Sequence, residues 1–217
     1  GGMLAPTAEV VYKQDPLFPL MRASAEWYPD LIELTAKYTD LPTGYRTDGT
    51  LVVARDTADK THLDELREYQ SRHGMAVDKL TVRQARKLEP ALSPAINGAV
   101  SIDGDHQVQP RLFTRALLDA CRSANVTFTT NRIDRLDQLD KADQVVVANG
   151  LGASQLVEGL DLRPVYGDVL HVRVPKHQYP LLTRVVRGFV EDRPVYLIPR
   201  EDGTLTIGAT TREDGRD

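Results

Sequence analysis

Few side chains in this sequence announce chemistry by themselves, and no combination of them forms a recognisable catalytic set. Tyr196 lies in the strand-like run Val195-Tyr196-Leu197-Ile198-Pro199-Arg200, where a phenol can donate to a carboxylate and cover a small substrate. A half-buried strand aromatic with its hydroxyl in water is the plainer reading of the same residue. Asn149 and Gly150 follow the apolar run Val145-Val146-Val147-Ala148. The end of a buried strand is where open α/β sheets place ligands, although a glycine there is equally a simple turn. Asp103, Asp105 and His106 could suggest acid–base work, but Asp and Gly between a strand and a helix read better as a turn. Arg184, Arg187 and Arg193 read as solvated strand or loop charges unless one faces the pocket. The five histidines, His62, His73, His106, His171 and His177, show no metal-ligand spacing, so no metal is expected. Cys121, the single cysteine, sits on an amphipathic stretch and reads as packed; it excludes internal disulfides and suggests a reducing, cytoplasmic compartment.

The elements that must position these residues have two textures. Pro16 to Tyr38 has helical periodicity, with Pro29 expected to kink or divide it. Asp59 to His73, Thr81 to Leu88 (Thr81 as N-cap) and Pro110 to Ala124 read as further helices. Val126 to Phe128, Ile133 to Leu136 and Val145 to Ala148 read as strands, the last buried on both faces, followed by a short helix from Ala153 to Val157. Against these stand antiparallel signals. Tyr45 to Ala54 reads as a hairpin about Asp48-Gly49, Asn97 to Ile102 as a strand, and Val165 to Val174, Thr183 to Val190, Val195 to Pro199 and Thr204 to Thr210 as a sheet. Two interleaved domains account for the alternation, and a single α+β domain is the alternative.

Bulk properties narrow the class. A net charge of −4 over 217 residues offers no basic face for nucleic acid. No apolar run approaches a bilayer span, so no membrane partner is expected. The chain opens Gly1-Gly2-Met3 and stops shortly after a strand, and both ends read as cuts within a larger protein.

Four segments carry a family likeness, in order along nearly the whole chain. They are Gly2-Met3-Leu4-Ala5-Pro6, Gly104 to Arg111, Val145 to Gly150, and the stretch from Pro164-Val165-Tyr166-Gly167-Asp168 through Tyr196-Leu197-Ile198-Pro199-Arg200 to Ile207-Gly208-Ala209-Thr210. Together they resemble the FAD-dependent glycine oxidases of the D-amino acid oxidase family. The resemblance implies a mixed α+β and α/β fold, in which part of a Rossmann-like FAD-binding domain (1–41 and 105–160) is interleaved with an antiparallel-sheet substrate domain (42–104 and 161–217). It implies oxidative deamination of a small amino acid, glycine first, in the thiazole branch of thiamine biosynthesis. Sarcosine oxidase, D-amino acid oxidase or dehydrogenase, and a non-catalytic binding module are the alternatives. By resemblance, Gly1, Gly2, Met3, Ile133, Asn149 and Gly150 lie along FAD, and Tyr196 and Thr211 line the substrate pocket. Thr211 replaces a methionine common in glycine oxidases.

No catalytic residue is expected in this chain, because the family's substrate-binding arginine has no counterpart here. The strand–helix GxGxxG turn that holds the FAD pyrophosphate is also absent from the sequence. The chain alone is therefore expected to bind FAD poorly and to be inactive. Thiazole-pathway enzymes are the expected partners, and a homo-oligomer the expected state of the intact protein.

Overall fold

A computed structural model describes residues 1–10, 15–139, 141–190 and 193–213. Backbone contacts divide the chain into two compact units, each interrupted by the other. The larger joins Gly1–Asn125 to Val169–Ala209, and the smaller joins Val126–Asp168 to the residues from Thr210 onward. The crossings fall at different places from the flavin and substrate segments expected above.

In the larger unit the elements run β1 (Met3–Leu4), α1 (Phe18–Ala36), β2 (Thr50–Ala54), α2 (Thr57–Arg72), β3 (Asp78–Leu80), α3 (Val82–Leu88), β4 (Gly98–Ile102), β5 (His106–Gln107) and α4 (Pro110–Ser123). After the excursion into the smaller unit come β6 (Val169–Arg173), β7 (Val185–Val190), β8 (Arg193–Pro199) and β9 (Thr204–Gly208). Seven strands form one sheet in the order β3-β4-β2-β7-β8-β9-β6. Every neighbouring pair is antiparallel except β2 and β7, which run parallel. A separate two-stranded ladder joins β1 to β5, with Met3 opposite Gln107.

Register separates the two faces of the sheet. One row across it reads Val100, Val52, Arg187, Tyr196, Gly208. On that side Val52, Ala54, Val100 and Ile102 pack with Leu63 of α2 and with Ala5 and Ala8 of the N-terminal segment. On the opposite side Val186, Leu205 and Leu182 form a second cluster with Val53, Leu197 and Ile207. Each face thus carries its own apolar cluster, while β6 at the edge stays largely exposed.

Local chemistry sets the helix ends. Asp56 caps α2 by accepting from the Asp59 amide while Asp59 returns a bond to the cap backbone, and Thr81 with Gln84 does the same for α3. Gly74 ends α2 at φ +72°, a left-handed conformation that favours glycine.

Several expectations are corrected. Helix α1 runs through Pro29 without a break, because a proline forfeits its own hydrogen bond while the flanking turns keep theirs. The hairpin about Asp48-Gly49 does not form. Arg46 exchanges both backbone bonds with Gln107 at 2.9 Å, and β2 gives its two edges to β4 and β7. The runs 126–128, 133–136 and 145–148 are not strands. Val146 is 86% exposed rather than buried on both faces. Their composition states a demand for burial, but a strand needs a partner edge, and among the described residues none is offered. The strand expected from Val165 is confined to β6, with Tyr166 making an isolated bridge to Arg212. In the smaller unit, a 3-10 turn at Gly150–Gly152 precedes α5 (Ala153–Leu156).

Candidate functional site

The period-two geometry of β8 points Tyr196, Ile198 and Arg200 to one side, and all three meet the start of the chain. A Cβ at Gly1 would lie 3.0 Å from the Tyr196 ring edge, its hydroxyl and the Ile198 methyl. Gly1 therefore lets bare backbone approach the phenol. Gly2 holds φ +92°, accepts at its carbonyl from the Val108 amide at 2.8 Å, and has Val108 O only 2.4 Å from where a Cβ would stand. Protein contacts alone thus require glycine at Gly2 and crowd any side chain at Gly1. Met3 follows, half-buried, on β1.

Arg200 fastens this arrangement. It is 5% exposed and donates through Nη1 to Gln107 Oε1 at 3.0 Å and to Val108 O at 2.7 Å, and through Nη2 to Gly1 O. Burial pushes its pKa down, with nearby Asp202 opposing the shift. A guanidinium forking into three acceptors locks the Gly1–Gly2 backbone, β5 and the β8–β9 turn together.

Tyr196 stands directly across from Arg187 on β7 and Gly208 on β9. A Cβ at Gly208 would come within 2.3 Å of the phenol carbon, so glycine there is what makes room for the ring. Burial holds the Tyr196 phenol above its ordinary range, with the charge of Glu9 adding to the shift and Arg187 and Arg200 opposing it. The hydroxyl is accordingly a neutral donor at physiological pH.

Arg187 is paired with Glu9, its side chain 16% exposed against 43% for the glutamate. The segment that carries Glu9 is bolted down from below. Asp105, fully buried, accepts from the Thr7 and Ala8 amides at 3.3 Å, and Gln70 donates to Thr7 O at 2.8 Å. Burial raises the Asp105 carboxyl from 3.8 to about 7, against the pull of those two amides. The turn expected at 103–106 is there, with Asp103 accepting from Ser101 at 2.8 Å and His106 Nδ1 meeting the Tyr45 hydroxyl at 2.7 Å.

The structure therefore brings Gly1, Gly2, Met3 and Tyr196 together and adds Glu9, Arg187, Arg200 and Asp105 to them. Arg187 and Arg184 are corrected from solvated charges. Arg184 has a 20% exposed side chain beside buried Glu89, whose Oε1 accepts from the Thr183 amide and hydroxyl and the Arg184 amide. The side chain of Arg193 lies outside the described residues. Arg200 was legible in principle, since it follows Tyr196 and Ile198 at strand period; nothing in the sequence singles out Glu9.

The remaining expected residues belong to the smaller unit. Ile133 is half-buried outside any helix or strand. Asn149 is exposed and makes no side-chain cap, Gly150 takes φ +61°, and Thr211 is exposed next to the Tyr166–Arg212 bridge. A cavity of about 790 Å³ opens elsewhere in the larger unit, lined by Pro6, Thr7, Phe18, Pro19, His73 and Met75 among others. It contains none of the expected site residues. Among the described residues no three His, Cys, Asp or Glu side chains come close enough to hold a metal ion, and no helix is long and apolar enough to cross a membrane.

Comparison with known proteins places this geometry. Residues 1–217 match the family described as FAD dependent oxidoreductase. The chain belongs to that family. Among solved structures, glycine oxidase from Geobacillus kaustophilus superimposes with a TM-score of 0.83 at 28% identity, covering 100% of this chain and 61% of that one. Iminodiacetate oxidase from Chelativorans gives 0.76 at 26% identity, covering 99% and 61%. The bifunctional protein ThiO/ThiG of Synechocystis is 30% identical over 98% of this chain and 32% of its own length. The chain thus spans about a third of that curated relative.

Within the family FAD is the cofactor, and the residues present meet only part of its shape. Bare backbone at Gly1 beside a phenol fits the flat ring end. The pyrophosphate end does not fit. The strand–helix GxGxxG turn that would hold the pyrophosphate is not among the residues of this sequence. The residues present thus suit the ring end of FAD and supply no cradle for its pyrophosphate.

Proposed function

We propose that the protein carrying this chain oxidises a small amino acid, with glycine the first candidate, and that the face of β7, β8 and β9 is its substrate side. One observation carries the reading: Tyr196, a neutral phenol donor, has Arg187 across from it on β7 and the bare backbone of Gly1 against its ring. A phenol beside a cation suits a carboxylate, and a bare glycine leaves room for only a small ligand or a ring edge. The similarity to glycine oxidase supports the choice of substrate.

In this reading the site residues take the roles expected of them. Gly1, Gly2, Met3, Ile133, Asn149 and Gly150 lie along FAD, while Tyr196 and Thr211 contact substrate. Segments 1–41 and 105–160 serve the cofactor, and 42–104 and 161–217 the substrate. FAD supplies the two-electron acceptor; the protein's part is orientation and exclusion of water. Tyr196 holds the substrate carboxylate, and Arg200 fixes the backbone against which the ring rests. Glycine, oxygen and water are consumed, and glyoxylate, ammonia and hydrogen peroxide are released. A thiazole-pathway partner fits the double name of the ThiO/ThiG relative. A homo-oligomer in the cytoplasm completes the proposal.

The test is peroxide release by the whole gene product with glycine, sarcosine and D-alanine, read beside its flavin absorbance. Yellow protein turning over fastest on glycine supports the reading. Yellow protein preferring sarcosine or D-alanine moves the substrate, and colourless protein or no peroxide with any amine overturns the activity.

A further inference from the structure

The Glu9–Arg187 pair lies nearer solvent than buried Arg200 or Asp105. Its glutamate is 43% exposed, and the guanidinium, at 16%, stands on the same face as Tyr196 and directly opposite it, a separation of about 5 Å between Cβ atoms. Among the described residues the Arg187 guanidinium donates to Glu9 through Nη1 alone, leaving its other edge without a protein acceptor. Glu9 itself is held in place by a segment whose amides are anchored on Asp105 and whose carbonyl is anchored on Gln70. A fixed anion has been set against a fixed cation beside a neutral hydroxyl donor.

We propose that Glu9 and Arg187 are specificity-determining residues forming a charge-balanced wall beside Tyr196, selecting amines with a single carboxylate over dicarboxylic ones. The inference rests on the proposed function and names its substrate class. Arg187 attracts one carboxylate through its open edge; Glu9 cancels the excess positive charge that would welcome a second. Each residue alone would bias the site, because a charge that has lost its partner acts at full strength on whatever enters.

The experiment uses the flavin-loaded whole protein and reads binding as well as turnover. Glycolate and malonate serve as mono- and dicarboxylate probes in titrations followed by flavin absorbance, and glycine and iminodiacetate as the matching substrates. Glu9→Gln is expected to shift both ratios toward the dicarboxylate by about tenfold or more, the scale of one uncompensated charge at this range. Arg187→Met is expected to weaken glycolate by a similar factor, and Arg187→Lys to restore most of it, which a purely structural role would not require. Unchanged ratios in Glu9→Gln and Arg187→Met, with glycine still oxidised, overturn this inference and leave the proposed function standing. Wild-type protein that binds flavin and neither probe, and oxidises no amine, overturns both.

Discussion

Asp105→Asn isolates the cost of burying a carboxylate beneath the candidate site. The folded protein raises this group from 3.8 to about 7, so the native state prefers its protonated form. The sign follows from linkage: a native state that binds the proton more tightly loses stability as pH rises between the two values. About three pKa units at 1.36 kcal/mol each make the full penalty about 4 kcal/mol, complete only above the folded value. At pH 5 the unfolded carboxyl is already mostly ionised, so less than half of the penalty is present. Asparagine removes all of it but can accept from only one of the Thr7 and Ala8 amides, which forfeits about 1 kcal/mol. The variant should therefore match the parent near pH 5 and exceed it by about 3 kcal/mol near pH 8. Urea unfolding at the two pH values, with midpoints converted through a common slope, measures the difference directly. A variant weaker than the parent by the same margin at both pH values would refute the reasoning, since it would mean that the ionised carboxylate is what holds the segment.

Three further substitutions probe the same scaffold. Gly208→Ala puts a methyl 2.3 Å from the Tyr196 phenol carbon and should cost about 1–3 kcal/mol in thermal melts, most of it recovered when Tyr196→Ala is combined with it. Arg200→Met strips three acceptors of their donor and should lower stability by about 3 kcal/mol, with faster hydrogen exchange at the Val108 amide as the local sign. Glu89→Ala leaves the Thr183 and Arg184 amides without their buried acceptor and should cost about 3–5 kcal/mol in urea; Glu89→Gln, which keeps an acceptor oxygen, should cost clearly less.

Much of this arrangement is legible in the residue string, for local reasons. Thr81 and Gln84 spell a capping box, Gly74 a helix stop, and Asp202-Gly203 the β8–β9 hairpin, because each depends on atoms a few residues apart. Tyr196 is singled out by its motif, and the alternation Tyr196, Ile198, Arg200 follows from the strand period alone. The misreadings are of another kind. Asp48-Gly49 has hairpin chemistry, yet β2 finds better partners in β4 and β7. Val145 to Ala148 has the composition of a buried strand, yet Val146 is 86% exposed where no edge is described to receive it.

Arg187 marks the division most clearly. Its sequence neighbours, Val186 and Gly188, say only that it stands on a strand. That it faces Tyr196 depends on the β7–β8 register, and that it meets Glu9 depends on Asp105 holding a segment 97 and 98 residues away in the chain. By itself the sequence determined the caps, the Asp202-Gly203 turn, the family and the strand that carries Tyr196, since these rest on short-range sterics, hydrogen bonding and recognisable motifs. Only the tertiary structure decided which charges stand beside that tyrosine, because pairing across a sheet is chosen by burial of the whole face and not by any residue's own preference.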